Sequence, residues 1–107
     1  MITKIISVDF DGTLCNSVVP EEGKKIWKEK TGEIYPHVGW WGRLESLDQN
    51  VFELNLFPNV VNLIKKYNSD PNSLVIILTN RMGKFEPIIK DILDKNNLHV
   101  DDIIFIV

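Results

Sequence analysis

A chain of 107 residues suits one compact domain, and 44% hydrophobic with 25% charged residues is ordinary for a globular protein. The net charge of −3 argues against binding along a nucleic-acid backbone, which requires clustered Lys and Arg, although one phosphate or strand end could still be held. The lone Cys15 excludes an internal disulfide framework. Lys4 interrupts the N-terminal apolar run, and no run approaches the roughly 20 residues that cross a bilayer. We therefore expect a cytoplasmic protein with no membrane contact.

Short apolar runs rich in β-branched residues alternate with segments of helical spacing. The first run, Ile2 to Val8, predicts a parallel strand buried on both faces. Pro58 and Pro87 stand where a first helical turn tolerates proline. Strands are predicted at 2–8, 74–78 and 103–107, and helices at 21–30, 58–67 and 85–93.

This alternation predicts an α/β fold in which right-handed crossovers connect parallel strands and helices cover the sheet. We expect a single domain over residues 1–107, with the less regular segment 14–57 as a small cap-like insertion after the first strand. The tryptophans of that insertion, Trp27, Trp40 and Trp41, suit either the packing of a small cap or a platform for base stacking.

Polar residues follow the first two predicted strands at the edge where parallel α/β sheets bind ligands. Asp9 is a candidate nucleophile, and Asp11 could transfer a proton to the leaving group or from water. Thr79 could donate to a phosphate oxygen, and Arg81 could grip one with its planar fork. Gly12 permits a turn whose backbone N–H groups suit an anion.

Two carboxylates one residue apart, Asp9 and Asp11, repel each other and an incoming phosphate. A carboxylate about 4 Å from a doubly charged phosphate costs roughly 8 kcal/mol at an effective dielectric near 20. A hard divalent cation removes this repulsion, and carboxylate oxygens are the ligands that Mg²⁺ prefers. The sequence therefore predicts Mg²⁺ bound at Asp9 and Asp11.

Two motifs resemble a known enzyme family. The sequence IISVDFDGTL is similar to the first motif of the haloacid dehalogenase-like phosphohydrolases, Asp-x-Asp-Gly-Thr after a hydrophobic strand, and VIILTNR is similar to their second. Gly39-Trp40-Trp41, LTNR and Phe85 together resemble the haloacid dehalogenase-like domain of the Swiss Army Knife RNA repair-like group. The usual text there is closer to LTGR, so Asn80 departs from the pattern.

The resemblance implies a Rossmann-like core and a role for each site residue. Asp9 would be the nucleophile and Asp11 the general acid and base, with the Asp9 carboxylate and the Asp11 backbone carbonyl holding Mg²⁺. The phosphate would be bound at the loops that follow the two strands, by Gly12, Thr13, Thr79, Asn80 and Arg81. The third-motif Lys and fourth-motif acid of the family are expected beyond Val107, and Asp101-Asp102 precede their strand, at the wrong end of the sheet.

Three functions follow as expectations. The first is a Mg²⁺-dependent phosphomonoesterase with an aspartyl-phosphate intermediate, whose substrate is a phosphorylated small molecule, a nucleotide or a nucleic-acid end. The second is a truncated relative that binds phosphate or a partner with little turnover. The third is a non-enzymatic assembly or regulatory subunit that kept the scaffold. Without the later strands of the family, the first strand forms a sheet edge, which predicts a homodimer or a partner chain that completes the sheet.

Overall fold

The computed structural model of the protein describes residues 1–106 and contains a parallel sheet of three strands in the order β1-β2-β3. The strands are β1 (Lys4–Asp9), β2 (Ser73–Thr79) and β3 (Asp102–Phe105), and the helices are α1 (Pro20–Thr31), α2 (Pro58–Asn68) and α3 (Glu86–Lys95). Short 3₁₀ turns occupy Leu44–Leu47 and Gly83–Phe85. The predicted mixed α/β class and parallel sheet are confirmed.

The chain divides into two compact units. The sheet unit consists of Met1–Asn16 and the chain from Asn55 onward, and carries all three strands with α2 and α3. The insert unit consists of Ser17–Leu54 and carries α1. This second unit lies within the segment 14–57 that the sequence predicts as an insertion.

One face of the sheet is more deeply buried than the other. On β2 the side chains of Val75, Ile77 and Thr79 are at most 1% exposed, whereas on the other face Ile76 is 9% exposed and Leu74 and Leu78 are half-buried. Right-handed crossovers that step in one direction, from β1 to β2 to β3, place both crossover helices on the same face. The deeper burial of the Val75 face agrees with helices packed against that face.

The prediction that the first strand is buried on both faces is wrong. Val8 is 5% exposed, but Ile5 is 62% exposed, and β1 begins at Lys4 rather than at Ile2. Within residues 1–106, β1 pairs only with β2, so it is an edge strand. Pairing of this edge with a second copy or a partner chain stays a prediction. The third strand ends at Phe105, and its predicted last residue, Val107, lies outside the described residues.

The insert unit is built around aromatic side chains. Its core residues are Tyr35, Trp40, Val51 and Phe52. The Trp40 ring lies 5.2 Å from that of Tyr35 and 5.6 Å from that of Phe52, measured between centroids, and its Nε1 donates to the Val18 carbonyl at 2.8 Å. Trp40 is 4% exposed, so it packs inside the insert unit, as one of the two interpretations of the tryptophans predicts. Trp41 is 42% exposed.

Gly23 permits the close approach of Trp40 to α1. A Cβ atom at position 23 would collide with Cζ2 and Cη2 of the Trp40 ring, and both residues are buried. We expect Gly23→Ala to lower the free energy of unfolding by about 1–3 kcal/mol through overpacking, although alanine is favoured in helices by about 1 kcal/mol. Urea denaturation followed by tryptophan fluorescence reports on this unit, which contains all three tryptophans. Gly83→Ala is the control because its Cβ meets no atom within 4 Å; an unfolding midpoint that rises in Gly23→Ala would contradict the prediction.

Tyr35 should make the insert unit sensitive to alkali. Burial raises the pKa of its phenol, the Glu45 charge adds to this effect, and Arg43 opposes it. Because the folded-state pKa lies above the unfolded one, the stability linked to Tyr35 is fully present below about pH 10 and is lost as pH rises further. Tyr35→Phe removes the hydrogen bond from the hydroxyl to the Gly39 carbonyl, 3.0 Å long, and should cost about 1 kcal/mol at neutral pH. Fluorescence-detected urea melts across pH 8–11 should show a smaller alkaline decline in Tyr35→Phe than in the wild type, and equal declines would contradict this assignment.

Candidate active site

The polar residues that end β1 and β2 lie at the same edge of the sheet. The two strands are parallel, with Asp9 opposite Leu78 in the register, so Asp9 and Thr79 are the last residues of neighbouring strands. The sequence prediction that two polar clusters share one sheet edge is thus realised in the fold. Asp101 and Asp102 stand at the start of β3, the opposite end, as expected.

A tight turn follows β1. The N–H groups of Leu14 and Cys15 donate to the Phe10 carbonyl at 3.1 and 2.9 Å, and the Gly12 N–H donates to the Cys15 carbonyl at 2.8 Å. Gly12 has a φ of +75°, a left-handed conformation that glycine adopts without strain. The predicted turn is present, but the Gly12 N–H is directed to Cys15 and does not extend an anion-binding row of amides.

The Asp9 side chain is exposed at the end of β1. Its Oδ1 accepts a hydrogen bond of 2.9 Å from the backbone N–H of Phe10, a residue whose own side chain is fully buried. The buried Phe10 anchors the backbone beside Asp9, and the hydrogen bond fixes one carboxylate oxygen. No ion pair to Asp9 occurs within residues 1–106. Asp9 thus combines a positioned carboxylate with access to solvent, the two properties that a nucleophile requires.

Asp11 forms a bidentate ion pair with Arg81 across the ends of the two strands. Nε of Arg81 donates to Oδ2 of Asp11 at 2.8 Å and to Oδ1 at 3.1 Å, and a terminal guanidinium nitrogen donates to Oδ1 at 2.8 Å. The Arg81 side chain is 2% exposed and that of Asp11 is 23% exposed. The pair therefore ties the turn after β1 to the turn after β2 in a partly buried setting.

Further contacts hold Arg81 on its other sides. Its guanidinium carbon lies 4.7 Å from the ring centroid of Phe85, a fully buried residue in the turn before α3. Its backbone N–H donates to Oγ1 of Thr79 at 3.2 Å. An arginine over an aromatic face gains a cation–π attraction, which increases when the pair is desolvated. Arg81 consequently has a fixed position among β1, β2 and the start of α3.

The other predicted substrate-binding residues differ in accessibility. Gly12, Thr13 and Asn80 are exposed at this edge, where a ligand could reach them. Thr79 is 1% exposed and its hydroxyl faces the Arg81 N–H, so a phosphate would reach it only after a local rearrangement. The structure thus brings Asp9 and Asp11, at the end of β1, close to Arg81 after β2, and it leaves Thr79 buried.

The donor set allows only weakly held Mg²⁺. No group of three His, Cys, Asp or Glu side chains suited to a metal ion occurs in the described residues. Mg²⁺ nevertheless keeps several waters and is commonly bound by one or two carboxylates together with substrate phosphate. The exposed Asp9 carboxylate meets that requirement, whereas the Asp11 carboxylate is engaged by Arg81.

Arg81 also reduces the repulsion between the Asp9 and Asp11 carboxylates. Its guanidinium offsets the charge of Asp11, whereas the sequence predicts that Mg²⁺ alone would do so. The sequence analysis predicted neither the ion pair nor the contact with Phe85. A signal for the ion pair was present in the sequence: Asp11 and Arg81 each follow the last residue of a strand by two positions.

A cavity of about 310 Å³ lies elsewhere in the sheet unit, along α3 and the start of β3. Charged and apolar side chains line it, among them Glu86, Lys90, Asp94 and Leu98. None of the candidate active-site residues is among the residues that line it.

Within residues 1–106, no helix is both long enough and apolar enough to cross a membrane. Comparisons with protein-family models, with curated proteins and with solved structures find no match to this chain.

Proposed function

We propose that the protein is a Mg²⁺-dependent phosphomonoesterase with a Rossmann-like core of the haloacid dehalogenase type, active in the cytoplasm. The observation that carries the proposal is the Arg81–Asp11 ion pair, because it joins the turn after β1 to the turn after β2 and so gathers the polar residues of both motifs. The exposed Asp9 carboxylate beside this pair supplies the nucleophile. Phosphorylated small molecules, nucleotides and nucleic-acid ends are the proposed substrates.

Asp9 and Asp11 divide the chemistry between them. An Asp9 oxygen attacks phosphorus, the bond from phosphorus to the leaving-group oxygen breaks, and that oxygen takes a proton from Asp11. Water then attacks the phosphorus of the aspartyl phosphate and gives a proton to Asp11, while the bond from phosphorus to the Asp9 oxygen breaks. Inorganic phosphate is released, and both side chains are restored. The 23% exposure of the Asp11 side chain leaves the access that these proton transfers need.

Mg²⁺ would be held by the Asp9 carboxylate and the Asp11 backbone carbonyl. When bound, it would offset the negative charge of the phosphate near Asp9. Thr13 and Asn80, which are exposed at the same edge of the sheet, would provide the remaining polar surroundings of the substrate phosphate.

Release of inorganic phosphate tests the proposal. The purified chain is incubated with aryl phosphate, nucleoside monophosphates and a 5′-phosphorylated oligonucleotide, with Mg²⁺ or with EDTA. We expect Mg²⁺-dependent release from at least one substrate, abolished by EDTA. Absence of release from every substrate with Mg²⁺ present would reject phosphatase activity.

A second candidate function is phosphate or partner binding with little turnover, and the same ion pair favours it. Arg81 donates to both carboxylate oxygens of Asp11, the arrangement of an ionised carboxylate rather than of a proton donor. Thr79 is also buried. Binding of inorganic phosphate by calorimetry, without phosphate release from any ester, would distinguish this function from the first.

We predict that Mg²⁺ binds weakly to the free protein and more tightly when a phosphate analogue is present. The reason is that Asp9 is the one exposed carboxylate of the proposed ligand set, so the ion depends on phosphate oxygens to complete its coordination. Calorimetric titration with Mg²⁺, with and without orthovanadate, measures both affinities. Tight binding to the free protein would show that another ligand belongs to the site.

A further inference from the structure

The sequence suggests that Arg81 grips the substrate phosphate, but its contacts indicate another role. We propose that Arg81 is a positioning residue that acts through Asp11, and that it does not hold the phosphate itself. This inference rests on the proposed phosphatase function and assigns the residue that orients the group handling the proton.

The Arg81 side chain is directed at the Asp11 carboxylate. Two of its nitrogens donate to Asp11 over 2.8–3.1 Å, and both oxygens of that carboxylate are engaged. A planar fork that binds a carboxylate at two points fixes its rotation as well as its distance. Asp11 lies in the turn directly before Gly12. Apart from the contacts with Arg81, none of the described contacts fixes the orientation of its side chain.

Arg81 is also much more deeply buried than Asp11. A phosphate-gripping arginine needs an accessible guanidinium, yet this side chain is 2% exposed while the Asp11 side chain is 23% exposed. The Phe85 ring, 4.7 Å from the guanidinium carbon, lies against Arg81 and is itself fully buried. The accessible member of the pair is thus the carboxylate, which is oriented by the buried member.

The kinetic test uses four proteins: Arg81→Gln, Arg81→Lys, Asp11→Asn and the double variant Asp11→Asn/Arg81→Gln. With aryl phosphate and Mg²⁺, we expect Arg81→Gln to lower kcat by roughly 10- to 100-fold, the scale of a misplaced catalytic group, with KM nearly unchanged. In the Asp11→Asn background the same change should lower kcat by less than about twofold, because residues that act as a unit are not additive. Arg81→Lys keeps the charge without the fork and should recover only part of the loss.

Direct phosphate contact gives the opposite pattern. If Arg81 holds the phosphate, Arg81→Gln raises KM by tenfold or more, and its effect multiplies with that of Asp11→Asn. That result would overturn the positioning role. The comparison of the two backgrounds also excludes a purely structural effect, because general loss of folded protein lowers apparent kcat by the same factor in both.

A binding and unfolding assay keeps the inference testable if the wild type releases no phosphate. In that case the phosphatase proposal fails, and calorimetry with inorganic phosphate together with urea unfolding decides on Arg81. We then expect Arg81→Gln, or Arg81→Lys if the former does not fold, to retain phosphate binding. We also expect the double variant to be at least as stable to urea as Asp11→Asn, because the buried Arg81 charge is costly once the Asp11 charge is removed. Loss of phosphate binding in the Arg81 variants, with an unfolding effect independent of Asp11, would contradict the inference.

Discussion

Asp9→Asn should reduce phosphate release by at least about a thousandfold, because the amide cannot form the aspartyl-phosphate intermediate. The fold should survive, since the Asp9 side chain is exposed and an asparagine Oδ1 can still accept the 2.9 Å hydrogen bond from Phe10. Steady-state assays with aryl phosphate and Mg²⁺ measure the loss, and circular dichroism checks the fold.

The matched control for this variant is Asp94→Asn, an equally conservative change at an exposed carboxylate of α3 outside the candidate active site. Its turnover should equal that of the wild type. Unchanged turnover in Asp9→Asn would remove Asp9 from the nucleophile role.

Asp11→Ala should lower the free energy of unfolding by about 2–3 kcal/mol, somewhat less than the loss when one partner of a fully buried ion pair is removed. The expected loss is smaller than for a fully buried pair because the Asp11 side chain is 23% exposed, which lets water approach the pair. The penalty arises because the buried Arg81 guanidinium, which lies against Phe85, loses its two-point contact with the Asp11 carboxylate. Urea unfolding followed by far-ultraviolet circular dichroism measures it.

A double variant separates this cause from simple loss of packing. Adding Arg81→Met to Asp11→Ala removes the buried charge and keeps an apolar side chain beside Phe85, so we expect Asp11→Ala/Arg81→Met to be more stable than Asp11→Ala alone. Equal or lower stability of the double variant would show that the charge of Arg81 is not what makes the Asp11 substitution costly.

Local pattern sufficed to predict most of the elements. The apolar run 74–78 became β2, and Pro58 begins α2 as a first-turn residue, because these segments pack in the environment that their own spacing anticipates. The first strand was placed correctly but its burial was not, because β-branched composition says nothing about which neighbours cover each face. Ile5 is apolar and yet 62% exposed, as expected if right-handed crossovers place both helices on one side of the sheet.

The candidate active site was predictable in its position but not in its contacts. The motifs at Asp9 and Thr79 follow neighbouring parallel strands, and topology alone brings such residues to one edge. The choice of partner for Arg81 depends on distances between side chains 70 residues apart in the chain, which residue type cannot supply. Arginine suits phosphate and carboxylate equally well, so only the fold distinguishes the two roles.

The most direct measurement is a search for the phosphorylated side chain. The protein is mixed with aryl phosphate and Mg²⁺, quenched in acid within the first turnover, digested and analysed by mass spectrometry. We predict a phosphoryl group on the peptide that contains Asp9, absent from Asp9→Asn and from a sample quenched before substrate is added. Phosphate release without any adduct on that peptide, and with turnover retained in Asp9→Asn, would contradict covalent catalysis by Asp9.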